Sequence, residues 1–200
     1  MPVTDGRPAE GLRVAPADDV PPTEPSIDDT TRYALLARSG DAGAQAAFVR
    51  ATHAEVWRFV AALVDPASAD DLTQDTYLRA FRALPHFAGR STARTWLLGI
   101  ARRTCADHLR AVQRRRRLEA RLARQRPDTD LPDDTALLAI TELLRRIPAD
   151  RRSTFVLTQV VGLSYAEAAA IEDVPIGTIR SRVARARVTL VEALSAAMVR

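Results

Sequence analysis

Four arginines, Arg180, Arg182, Arg185 and Arg187, fall between Gly177 and Val191 with no Asp or Glu among them. The apolar set Ile176, Ile179, Val183, Ala186, Leu190 and Leu194 recurs around them with the period of a helix. No acid within that window pairs with the arginines at i,i+4, so the helix offers fixed positive charge to phosphates. The plainer alternative is an amphipathic helical hairpin with an ordinary solvated basic face. A second set, Asp71, Gln74, Asp75 and Leu78, is spaced i, i+3, i+4 and i+7 and so shares one helix face. Two acids, an amide and a leucine on one side suit docking onto a basic partner helix. Acids near a helix N-terminus also complement its dipole, and Asp70 and Asp71 need no further reason than that. A third stretch, FAGRSTAR from Phe87 to Arg94, sets an aromatic ring, a glycine and small hydroxyls beside a basic helix. That is chemistry for stacking and holding an unpaired base, although a lone Phe more often plugs the core beneath its loop.

Catalysis has little to work with. His53, His86 and His108 are the only histidines, and Cys105 is the only cysteine. Cys105 and His108 on one helix supply two ligands where a structural zinc site takes four. A single cysteine also excludes an internal disulfide, and it reads as a small buried filler. The expectation is a non-enzyme with no cofactor and no metal.

Charge points the same way as the arginines. Of 200 residues, 29 are basic and all of these are Arg, giving a formal charge of +4. Residues 1–30 hold seven acids and two arginines, so the rest of the chain carries +9. A basic body behind an acidic tail suits a nucleic-acid partner. No apolar run reaches membrane-spanning length, and the acidic, Pro-rich start is the opposite of a signal peptide. A cytoplasmic protein with no membrane insertion is expected.

The elements that must position these groups are all helical. Residues 1–27, with six prolines and almost no periodic apolar residues, are expected to be disordered. A first unit, 28–112, holds four helices. The first starts near Thr30–Thr31 and ends near Gly40. Asp41 caps the second, with Ala44, Ala47, Phe48, Ala51, Val56, Phe59, Val60 and Leu63 inward until Asp65-Pro66 stops it. Ser68 opens the third, which carries Leu72, Tyr77, Ala80, Phe81 and Leu84 and ends at Pro85. The fourth runs from about Thr92 to Ala111 with Trp96, Leu97, Ile100, Ala101 and Leu109 in its core stripe.

Residues 113–133 read as a flexible basic linker, in part helical at its basic end, that ends in PDTDLPDD and has too few apolar residues to fold alone. A second helical unit spans 134–198, with Leu137, Ile140, Leu144, Ile147, Phe155, Val156 and Val160 inward and Gly162 ending a helix. Ser164 and Glu167 then fit a capping box. Ala168, Ala169 and Ile171 form a small surface for close packing, Glu172-Asp173-Val174 breaks the pattern, and Pro175 suits the first turn of a new helix. Short helix, tight turn, outward-facing second helix: this is a helix-turn-helix, with DNA contacts expected on the second helix. The fold class is all-α, two small helical domains joined by a flexible basic linker.

These two units resemble a family. DLTQDTYLRAF (Asp71–Phe81) and TWLLGIARRTCADHLR (Thr95–Arg110) look like the sigma-2 domain of bacterial sigma factors. LSYAEAAAIEDVPIGTIRSRVARAR (Leu163–Arg187) resembles the sigma-4 domain. Two such domains in this order, with nothing folded between, are similar to the extracytoplasmic-function (ECF) group of the sigma-70 family. The resemblance implies a factor that binds core RNA polymerase, through its β′ clamp and β subunits, and directs promoter-specific initiation and melting. It implies that Asp71, Gln74, Asp75 and Leu78 dock on the β′ coiled coil. It implies that Phe87, Gly89, Ser91, Arg94, Arg102 and Arg103 meet the −10 element, with the Phe87–Ser91 loop receiving a flipped base. Thr178, Arg180, Ser181 and Arg185 would meet the −35 element, with Arg182 and Arg187 nearer phosphates. Promoter DNA is the implied ligand, and an anti-sigma factor is a further candidate partner. Many relatives have Phe-Arg-Gly where this chain has Phe87-Ala88-Gly89, Asn where it has Arg103, and Gly where it has Asp173. The rival class is a repressor or activator that uses only the helix-turn-helix, which leaves the first unit unexplained.

Overall fold

The computed structural model describes residues 28–122 and 142–198. The expected disordered tail at 1–27, the linker beyond residue 122 and the inward positions Leu137 and Ile140 lie outside them. Among the described residues every regular element is a helix.

In the first unit, α1 spans Asp29–Ala37, α2 Ala42–Leu63, α3 Pro66–Ala83 and α4 Ala93–Leu122. Each of the first three starts on an aspartate. Thr31 donates its amide and hydroxyl to Asp28 at 2.9 and 2.6 Å, Ala44 donates its amide to Asp41 at 2.9 Å, and Ser68 donates its amide to Asp65 at 3.0 Å. Such caps satisfy one of the four free amides that open every helix and are worth about 1 kcal/mol each. The third cap corrects the expected start at Ser68. Asp65 takes the capping role because Pro66, which has no amide to lose, can occupy the first helical position.

Phe48, Val56, Phe59 and Val60 of α2 are buried, and so are Ala69, Tyr77 and Ala80 of α3 and Leu97, Leu98, Ala101 and Cys105 of α4. Ala51 turns out to be exposed, one helical position off the stripe. Burial pushes the Cys105 thiol up to about 12, so it stays protonated at neutral pH and acts as core filler.

Helix α4 runs eleven residues past its expected end at Ala111, through Arg114–Arg117 to Leu122. Arginine is a good helix former, and Arg115 bonds Glu119 one turn on at 2.8 Å. The basic end of the expected linker is therefore helix.

The second unit packs α5 (Ala149–Phe155), α6 (Tyr165–Glu172) and α7 (Ile176–Met198) around Ile147, Val156, Leu157, Leu163, Ala168, Ile179 and Val183. α5 continues as one wide turn through Val160, where the Val161 amide reaches back five residues to the Val156 carbonyl at 2.9 Å. Gly162 then ends it at φ +80°, a conformation that side chains with a Cβ seldom adopt. Val160, Ile176 and Leu194 are about half exposed, so the buried stripe of the second unit is narrower than its apolar residues suggested.

The helix-turn-helix forms as the capping box requires. The Glu167 amide donates to Ser164 Oγ at 3.2 Å, and the Ser164 amide donates to Glu167 Oε2 at 2.9 Å. Burial works to raise the Glu167 carboxyl, but those bonds, with one from Thr95, hold it below the usual range. The turn closes on Asp173 at φ 54°, ψ 51°, the only non-glycine with positive φ among the described residues. That conformation costs an ordinary residue roughly 1–2 kcal/mol, and an aspartate somewhat less. Asp173→Gly is therefore expected to raise the melting temperature of the chain, by about 0.5–1 kcal/mol of stability after glycine's own entropy is counted. An unchanged or lower thermal midpoint by circular dichroism would show that the aspartate side chain stabilises the turn in another way.

Candidate nucleic-acid interface

The groups singled out in the sequence settle on three surfaces. On α3, Asp71, Gln74 and Leu78 are exposed and Asp75 is partly so, and all four share the outer face. Asp75 accepts from Arg79 at 2.9 Å, and Arg79 also donates to Asp107 of α4 at 2.9 Å. Bonds from Arg79 and then Arg110 hold the Asp107 carboxyl below its ordinary range. The patch is thus braced from behind by Arg79 while Asp71 and Gln74 stay free to solvent.

The second surface is the loop before α4 and the first turns of that helix. The loop is pinned at both ends: Arg38 donates to the Phe87 carbonyl at 3.0 Å, and the Ala93 amide donates to Thr31 Oγ1 at 2.8 Å. Between them Gly89 sits at φ +68°, which favours glycine, and Ala88, Gly89, Arg90 and Ser91 are exposed. Phe87 itself is not. Only 3% of it is accessible, and its ring lies 4.9 Å from Trp96. The expected role of Phe87 as an exposed stacking platform is corrected accordingly. The ring supports the loop from below, because a lone aromatic is worth more buried than solvated, and the loop's outer contacts fall to its neighbours.

Along α4, Arg103 is exposed and, among the described residues, bonds only the Gly99 carbonyl, at 3.0 Å. Arg94 and Arg102 are engaged. Arg94 chelates Glu55 of α2 with two nitrogens and donates to the Val161 carbonyl at 2.7 Å. The Glu55 contact, with burial opposing it, raises the Arg94 guanidinium's affinity for its proton. Arg102 donates to Glu172, at the end of α6, at 2.8 Å.

The third surface is the outer face of α7. Arg180, Ser181, Arg185 and Arg187 are exposed and Thr178 is half-buried beneath them. Arg187 donates to Gln159 at 2.8 Å, while Arg180 makes no bond to another described residue. Arg182 departs from expectation. Its side chain is 22% exposed and faces Glu172 at 3.5 Å and Asp150 at 3.7 Å, so it is an internal ion-pair residue and not a free phosphate ligand. The acid-free window around it could not reveal this, because both partners come from other helices.

The sequence places Glu172 only in the break between the two helices, whereas it is the last residue of α6 and an ion-pair partner. Its side chain is fully buried, yet it accepts from Ser153 and Arg102 and lies 3.5 Å from the Arg182 guanidinium. The available signal was a carboxylate four residues after Ala168, on the inward face of a short helix.

Two basic surfaces and one acidic-apolar patch, on two all-helical units, are the equipment of a promoter-recognition factor. Residues 47–116 match sigma-70 region 2, and residues 137–190 match sigma-70 region 4. The ECF RNA polymerase sigma factor SigC of Mycobacterium tuberculosis is 48% identical over 173 residues, covering 82% of this chain and 92% of that protein. The ECF RNA polymerase sigma-E factor of Haemophilus influenzae is 33% identical over 131 residues, covering 58% and 69%. Among solved structures, CnrH in complex with the cytosolic domain of CnrY is similar at a TM-score of 0.67, with 28% identity over 84% of this chain and 99% of that one. The sigma factor RpoE of Bartonella quintana, in complex with the anti-sigma factor NepR, gives 0.63, with 29% identity over 74% and 94%.

The chain belongs to the ECF group of sigma-70 family sigma factors and directs promoter-specific transcription initiation.

Proposed function

We propose that the chain joins core RNA polymerase through the α3 patch Asp71, Gln74, Asp75 and Leu78. It reads the −10 element with the Gly89–Ser91 loop and Arg94, Arg102 and Arg103, and the −35 element with Thr178, Arg180, Ser181, Arg185 and Arg187. The observation that carries this reading is the pairing of two unlike surfaces on separate units. An acidic, leucine-bearing face on α3 suits a basic protein helix, and an exposed cationic face on α7 suits DNA. Melting falls to the loop, whose exposed backbone and Ser91 stand beside a basic helix where an unstacked base could be held. The chemistry of RNA synthesis stays with polymerase, so the chain itself is non-catalytic and works in the cytoplasm. Among the described residues no helix is long and apolar enough to cross a membrane. An anti-sigma protein, of the kind seated on RpoE of B. quintana, is a candidate regulator.

A repressor with the same helix-turn-helix would bind DNA and ignore polymerase. Gel filtration of the purified chain with core polymerase separates the two. Co-elution at one-to-one stoichiometry is the expected result, and DNA binding without any co-elution would favour the repressor.

A further inference from the structure

Among the described residues one buried side-chain polar atom has no hydrogen-bond partner, and it is the hydroxyl of Thr73 on α3. Only 2% of that residue is accessible. Nearby threonines show what a buried hydroxyl on a helix ordinarily does. Thr52, Thr76 and Thr104 each donate to the carbonyl four residues back, at 2.7, 2.7 and 3.1 Å. Thr73 makes no such bond. A buried hydroxyl left unpaired is destabilising, so it calls for a partner from outside the chain.

Thr73 lines a groove of about 320 Å³ between α2 and α3, together with Val49, His53, Asp70, Gln74 and Tyr77. Val49 and two rings make its apolar wall. The His53 and Tyr77 rings lie parallel within 6°, their centroids 6.2 Å apart, and the Tyr77 hydroxyl is fixed by a 2.7 Å bond with Thr52. Asp70 and Gln74 are exposed. Trp57 donates its indole N–H to Asp70 at 2.7 Å, which orients the carboxylate and leaves its second oxygen without a described partner. Asp70, Thr73, Gln74 and Tyr77 are spaced i, i+3, i+4 and i+7, a stripe that shares Gln74 with the patch Asp71, Gln74, Asp75 and Leu78. The groove therefore continues that patch toward α2.

We propose that this groove takes one arginine side chain from the polymerase helix that docks on α3, and that Asp70 and Thr73 select it. The proposal rests on the docking role given to the α3 patch above. An arginine joins an apolar stem to a planar head with five N–H donors and no acceptor. The stem suits the wall of Val49, His53 and Tyr77. The head can pair with Asp70 and still donate to the Gln74 side-chain carbonyl and the Thr73 hydroxyl. A lysine would match the carboxylate, but its compact ammonium lacks the fork that serves several acceptors in one plane. An acidic side chain would meet Asp70 with like charge, and an apolar one would leave Thr73 unpaired.

Two variants of the full chain test this by their affinity for core polymerase. Thr73→Val swaps an unpartnered hydroxyl for a methyl of the same shape. Its melting temperature should be unchanged or higher, while its affinity for core polymerase falls on the order of tenfold. A hydroxyl that served only the fold would lower stability and leave affinity alone. Asp70→Asn keeps an acceptor for Trp57 and removes the charge. It should also lose on the order of tenfold, and the loss should shrink at high salt, as it must for a cationic occupant. Thr76→Val, the same change at a hydroxyl already bonded to the Leu72 carbonyl, should bind as the wild type does. Wild-type affinity in folded Thr73→Val, or a loss in Asp70→Asn that is the same at all salt concentrations, would overturn the arginine groove. If those two variants bind normally while Gln74→Ala with Asp75→Arg does not, the patch docks and the groove is empty. A wild-type chain that fails to bind core polymerase would refute the docking reading itself, and the groove with it.

Discussion

Gln74→Ala combined with Asp75→Arg is expected to abolish assembly with core polymerase and to leave the fold intact. The asymmetry follows from where these side chains sit. Gln74 is exposed and makes no described bond, and Asp75 spends one oxygen on Arg79, itself still held by Asp107 at 2.9 Å. Placing an arginine one turn from Arg79 adds a like-charge pair costing about 0.2–0.5 kcal/mol, small against typical domain stability. Docking against a basic helix is another matter. Truncating one partner of a desolvated charge pair costs about 2–5 kcal/mol, a factor of roughly thirty to several thousand in affinity, and reversal adds repulsion. Asp29→Arg is the control, because it makes the same charge change beside Arg32 at an exposed site off the patch. Gel filtration with core polymerase should show a complex for the control and none for the double variant. Normal assembly by the double variant would mean that the acids of α3 serve only the helix dipole, worth tenths of a kcal/mol at the surface.

A comparably large effect is expected on α7, where Arg180 and Arg187 share one helix and differ in depth. The helix runs 23 residues, about 34 Å at 1.5 Å per residue, so only its first turns can enter a groove from the N-terminal end. Arg180 lies in the second turn, and its guanidinium bonds no other described residue. Arg187 lies two turns further on and is tethered to Gln159. Arg180→Ala should cost on the order of 1–3 kcal/mol at the cognate −35 element and flatten preference at one or two positions. Arg187→Ala should weaken every sequence alike and lower the salt slope by about one unit. Competition among single-base variants at fixed salt, with holoenzyme, reads both. Equal weakening of every variant by both substitutions would make the helix an electrostatic clamp without base readout.

What could be read from the sequence divides along physical range. Features decided within one or two turns were legible: the aspartate cap of α2, the capping box of α6, the stop at Asp65-Pro66 and the core stripe of α2. Asp65 in place of Ser68 was missed by one competing local rule, since a proline can open a helix as readily as a serine can cap one. The run Arg114–Arg117 reads as the partly helical end of a linker for want of apolar residues, and helix propensity with an Arg115–Glu119 pair makes it a direct continuation of α4.

Features decided across the fold were not legible. Arg182 lies in a window free of acids, and its partners Glu172 and Asp150 come from α6 and α5. Arg102 finds its partner seventy residues away. Phe87 stands in the sequence between two readings, a stacking platform and a plug beneath its loop, and packing against Trp96 decides for the plug. Nothing in local spacing reports which of two units a side chain will face.

In vitro transcription with core polymerase over a library of genomic fragments tests the central claim most directly. Core enzyme supplemented with the chain should initiate at a restricted set of start sites that core enzyme alone does not use. Those sites should share two upstream sequence elements, one for each recognition surface. Active core enzyme that yields no specific transcript when the chain is added, across the whole library, would contradict the account.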